Sequence, residues 1–73
     1  MAFIVTADIK YLDGALEGMT IPAGYRVTEP DRSHANRCSA WLSKVQRSND
    51  FIRAVGTGNR YQIVGPIEVR EAA

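Results

Sequence analysis

The sequence is poor in the residues that cross-link a chain, hold a metal or cross a membrane. It has one cysteine, Cys38, which excludes an intramolecular disulfide and any zinc site built from several cysteines. The longest run of bulky apolar residues is Phe3-Ile4-Val5, against about 20 for a membrane-spanning helix. No basic region followed by an apolar stretch opens the chain, so no secretory leader is expected and the location is read as cytoplasmic. Internal repeats, low-complexity tracts and linkers are also missing. The net charge is only +1 and the pI about 7.9, below the strongly basic profile usual for a nucleic-acid domain.

What remains is the composition of an ordinary small globular domain. Of 73 residues, 45% are hydrophobic and 23% charged, which argues against intrinsic disorder. Ile, Val, Leu, Met, Phe and Trp together supply 20 side chains. That is a thin core for one domain, worth about 3–5 kcal/mol without a staple. Size alone favours pairing with a partner or a second copy.

Hydrophobic periodicity gives the elements. Phe3, Val5, Ala7, Ile9 and Tyr11 alternate with Thr6, Asp8 and Lys10, the period-2 pattern of a strand with one buried face. Asp13-Gly14 signals a turn. Met19–Ile21 and Tyr25–Thr28 alternate again, interrupted by Pro22-Ala23-Gly24, which predicts a bent or broken second strand pairing with the first, its proline at an edge or a bulge. Thr28-Glu29-Pro30-Asp31 has the form of a helix start capped by threonine, with Ser33 as a second candidate cap. Cys38, Trp41, Leu42 and Val45 then fall at i, i+3, i+4 and i+7, the apolar stripe of an amphipathic helix. This spacing predicts that Trp41 belongs to the core, with an interface anchor as the other reading. Ser48-Asn49-Asp50 ends the helix.

Phe51–Val55 and Arg60–Val64 flank Gly56-Thr57-Gly58-Asn59 and are read as a hairpin, with a short helix over residues 50–55 as the rival. Gly65-Pro66 breaks the run before a further short strand at Ile67-Glu68-Val69, and residues 70–73 are expected to fray. The expected fold is therefore α+β: a small antiparallel sheet in the order β-β-α-β-β with one amphipathic helix on one face. Residues 1–73 form a single domain.

Catalytic raw material is scarce. His34 and Cys38 are spaced i, i+4 on the predicted helix, a pairing that can activate a thiol, but no third orienting residue accompanies them and packing explains both. Gly56-Thr57-Gly58 lacks the following helix that a phosphate loop needs. The carboxylates Asp8, Asp13, Glu17, Glu29 and Asp31 are scattered. No enzyme activity, cofactor, metal or small-molecule substrate is expected.

The distinctive feature is charge segregation. Residues 1–31 carry two basic and five acidic side chains, whereas residues 32–60 carry six basic and one acidic. Arginine outnumbers lysine seven to two, and its planar fork suits phosphate or carboxylate recognition. The candidate binding surface is accordingly Arg37, Lys44, Arg47, Arg53 and Arg60. Together these readings describe a small binding module acting through a protein partner or self-association, in a regulatory, inhibitory or accessory role of bacterial or phage type. The alternative is a nucleic-acid-binding protein using residues 32–60, since a helix and a β-ribbon can both enter a groove. No membrane partner is expected.

Overall fold

A computed structural model describes residues 1–72. It has five elements: β1 (Phe3–Tyr11), β2 (Thr20–Glu29), α1 (Arg32–Arg47), β3 (Ile52–Arg53) and β4 (Arg60–Glu71). The strands form one antiparallel sheet in the order β2-β1-β4-β3, curled into a half-barrel with α1 packed against it. The expected α+β class and element order are those observed. No helix among the described residues is long and apolar enough to cross a membrane.

β1 is the centre of the molecule. Its odd-numbered residues Phe3, Val5, Ala7 and Ile9 are all buried, because they face α1 and meet Ala35, Leu42 and Val45 there. On the opposite face Thr6 is buried too, standing between its cross-strand neighbours Arg26 and Glu68.

Both flanking strands bend at the same level. Pairing passes from Ala7↔Tyr25 to Ile9↔Ile21 on one side and from Ala7↔Ile67 to Ile9↔Ile63 on the other. Pro22-Ala23-Gly24 and Val64-Gly65-Pro66 therefore each face the single residue Asp8. Such bulges sharpen strand bend and twist, and each proline lies where its strand has an unpaired edge. The Asp8 carboxylate anchors one corner by accepting the Ala23 N–H at 2.8 Å. Gly65, at φ +78°, supplies the left-handed geometry of the other.

Several expectations need correction. Gly65-Pro66 is a corner inside one long strand, so residues 67–69 continue β4 rather than forming a separate strand. Arg70 and Glu71, expected to fray, pair with Ile4 and Phe3; Ala73 lies outside the described residues. Of Phe51–Val55 only Ile52 and Arg53 pair, opposite Tyr61 and Arg60. The rest is drawn into a loop closed by Ala54 N–H on Asn59 O. The rival helix over residues 50–55 is not formed.

The helix cap is Asp31 rather than Thr28 or Ser33. Thr28 is engaged in β2 opposite Ile4. Asp31 has extended backbone (φ −154°, ψ 173°) and its carboxylate accepts the His34 N–H at 2.9 Å. The His34 ring meets the same oxygen at 2.8 Å. These bonds, the backbone one first, hold the Asp31 carboxyl below the usual carboxylate range. Asp31→Ala is expected to lower Tm by roughly 4–8 °C, while Asp31→Asn, which still accepts a bond, loses much less. Because the folded-state pKa is depressed, this stabilisation is present above the ordinary carboxylate range and lost as pH falls through the folded value. Thermal melts across pH 7 to 2 should therefore converge for wild type and Asp31→Ala at the acid end.

Candidate functional site

The structure divides the candidate basic residues between two opposite faces. Arg37, Lys44 and Arg47 are exposed along the outer side of α1, turned away from Ala35, Leu42 and Val45. α1 contains no acidic residue within its sixteen. Among the described residues none of these three cations is ion-paired, the pairs found being His34–Asp31 and Arg60–Asp13.

Arg53 and Arg60 are elsewhere. Tyr61 is buried toward α1, so strand alternation puts Arg60, and Arg53 opposite it, on the far face of the sheet. Both guanidinium groups lie over the Phe51 ring, 5.4 and 5.5 Å from its centroid. Arg53 donates to Gly58 O at 3.1 Å and braces the loop. Arg60 Nε donates to Asp13 at 2.8 Å, and its backbone N–H donates to the other Asp13 oxygen at 3.0 Å. Those hydrogen bonds draw the Asp13 carboxyl below its ordinary range. The two arginines thus tie the β3–β4 loop to the turn after β1, and share no surface with the helix cations.

His34 and Cys38 have separate partners. His34 belongs to the Asp31 cap, whereas the Cys38 thiol lies 3.8 Å from the Tyr25 hydroxyl. Burial, with that thiol contact, pushes the Tyr25 phenol above its ordinary range.

A different cluster appears beside this pair. Trp41, expected in the core, is 47% exposed. The apolar stripe is centred on Ala35 and Leu42, and Trp41 stands about 100° from Leu42 at one residue's rotation. It leans on Tyr25 with ring centroids 6.5 Å apart at 51°. Tyr25 and Val27 are half-buried on the same face of β2, and β2 is an outer strand whose second edge pairs with nothing among the described residues. Arg37 and Lys44, four before and three after Trp41, are its neighbours on the helix surface. The signal available in the sequence was Ala35: placing the stripe on Ala35, Leu42 and Val45 would have turned Trp41 toward solvent.

No pocket is enclosed among the described residues, and no three His, Cys, Asp or Glu side chains converge there. No known protein family, curated protein or solved structure matches the chain.

Proposed function

We propose that the protein is a small binding module that engages a protein partner through the flank formed by Trp41, Tyr25 and the open edge of β2. The observation that carries this reading is Trp41, an aromatic side chain left half in solvent beside an unpaired strand edge. Tryptophan gains much from burial, and is enriched among residues that dominate interface energetics. An unpaired strand edge offers N–H and C=O groups to a partner. The two together make a surface better suited to being covered than to being wet.

A second reading uses the acid-free helix: Arg37, Lys44 and Arg47 could contact phosphates of a nucleic acid. It is supported by three cations rather than the five of the sequence pattern, since Arg53 and Arg60 are committed to Phe51 and Asp13.

A photo-crosslinking amino acid placed at position 41, with position 10 on the far sheet face as control, separates these readings. A protease-sensitive adduct from position 41 and none from position 10 is the expected result. Equal adducts from both positions, or none, would remove the Trp41 flank from consideration. A nuclease-sensitive adduct, with duplex DNA binding whose log–log salt slope is about −3, would give the function to the helix cations.

A further inference from the structure

The opposite rim of the sheet carries a feature of its own. β3 pairs with β4 only at Arg60 and Tyr61, so no strand among the described residues covers the outer edge of β4 beyond the Gly65-Pro66 corner. That stretch reads Ile67-Glu68-Val69-Arg70-Glu71. The direction of its main chain follows from its end, where the Ala72 N–H donates to Ala2 O on the β1 side at 3.0 Å. By alternation Glu68 and Arg70 bond toward β1, while Ile67, Val69 and Glu71 turn their N–H and C=O groups outward.

The side chains divide in the same way. Ile67 and Val69 are half-buried against the core on the helix side, and Glu68 and Arg70 are exposed on the far face. Neither of these two charges is ion-paired among the described residues, where the pairs are His34–Asp31 and Arg60–Asp13.

Two copies of one strand meeting antiparallel about a two-fold axis keep like faces together, so their partner numbers sum to an even value. Centred on Ile67, the register runs Glu68 and Val69 into the Pro66 and Gly65 corner. Centred on Glu68 or Glu71, it opposes two glutamates, and centred on Arg70, two arginines. Centred on Val69, it sets valine against valine and places each Glu68 opposite the other copy's Arg70. Those two ion pairs occupy non-hydrogen-bonded positions, where opposed Cα atoms approach to about 4.5 Å and side chains lie closest. The outward groups of Ile67, Val69 and Glu71 meet at hydrogen-bonded positions and form about six main-chain bonds.

Ile67 then stands opposite Glu71 at each end of the ladder. Glu71 is exposed there, and Arg32 lies on its side of the sheet, 4.7 Å from the ring of its cross-strand neighbour Phe3. The helix also suits this arrangement. Trp41 leans toward β2, whereas Gln46, on the other flank of α1, lies against Gly65 of β4. Ser39 and Ser43 share that flank, so α1 presents short side chains toward the second copy.

We propose that the β4 edge from Ile67 to Glu71 pairs with the same edge of a second copy, joining two half-barrels into one continuous antiparallel sheet about a two-fold axis at Val69. The dimer adds burial of Ile67 and Val69 to a thin core. It does not depend on the Trp41 flank, which lies at the opposite rim and stays open to a partner.

The test is sedimentation equilibrium of the full chain from about 10 µM to about 1 mM, which should show a monomer–dimer equilibrium. Glu68→Arg and Arg70→Glu, both at exposed positions, should each weaken dimerisation by about tenfold or more while leaving the circular dichroism unchanged. An equimolar mixture of the two single variants should dimerise again, because every opposed couple in the mixed pair then carries opposite signs. In the unmutated protein, raising the concentration should slow hydrogen exchange at the Ile67, Val69 and Glu71 amides, while those of Glu68 and Arg70, already bonded to β1, change little. A monomer throughout that range overturns the proposal. So does a dimer indifferent to both charge reversals and to mixing, or one that protects residues 25–29 instead, which would seat the second copy on the β2 edge. Absence of the dimer while the position-41 protein adduct persists removes this inference alone, and loss of the adduct from a protein that still dimerises through β4 removes the Trp41 flank alone.

Discussion

Leu42→Ala is expected to leave a substantial fraction of the chain, on the order of half, unfolded at 25 °C. Leu42 is fully buried and is among the largest side chains so enclosed. It sits where α1 meets the β1 face, with Val5 and Ala7 among the buried residues of the same cluster. Truncating such a leucine costs about 2–5 kcal/mol, the transfer term plus the cavity left behind. A single core of this size supplies about 3–5 kcal/mol in total, so the two quantities nearly cancel. Urea denaturation followed by far-ultraviolet circular dichroism measures the loss. Val64→Ala, at an exposed position, serves as the comparison and should shift stability by no more than about 0.5 kcal/mol. Equal midpoints for the two variants would show that α1 is not held by this contact.

Gly24→Ala is expected to be strongly destabilising. A Cβ at Gly24 would stand 2.5 and 2.7 Å from the Cγ1 and Cδ1 atoms of Ile9, and 3.1 Å from Ile21 Cβ. Ile9 is 2% exposed and cannot swing into solvent. The corner of β2 must therefore move away from β1 or Ile9 must leave its rotamer, at a cost of about 1–3 kcal/mol. Ile9→Val removes Cδ1 and by itself costs about 0.5–1.5 kcal/mol. If the clash is the cause, the double variant loses less than the sum of the two single ones, which a double-mutant cycle in urea reads directly. Strict additivity would place the damage in the backbone of the bulge instead.

The sequence makes β1 legible because its two faces differ so sharply, Phe3, Val5, Ala7 and Ile9 against Thr6, Asp8 and Lys10. Pro22-Ala23-Gly24 could be read as a bend within a strand. Gly65-Pro66 was not readable in the same way, since a corner inside a strand and a break between two strands have the same local composition. Only continued pairing with β1 distinguishes them. Phe51–Val55 has strand propensity, yet β4 begins at Arg60 and the closed loop leaves Val55 in solvent. The site was legible in part. The positive charge of residues 32–60 is visible in the sequence, but which cations share a face depends on strand alternation around Tyr61 and on Asp13, 47 residues from Arg60. Trp41 lies at the margin of the apolar stripe, about 100° around the helix axis from Leu42, where spacing alone does not separate core from surface.

The central place of β1 also governs when the protein can become itself during synthesis. β1 and β2 are joined by a short connection and can pair early, and α1 follows directly. The other side of β1 must wait for β4, whose Glu71 pairs with Phe3 at opposite ends of the described chain. A nascent chain in which β4 has not yet been released therefore carries a strand with one naked edge and a half-covered apolar face. Such long-range pairing is slow to form, and its delay exposes the surfaces most prone to aggregation. That form cannot close before β4 is available to pair with β1, whatever the early hairpin and helix have already formed.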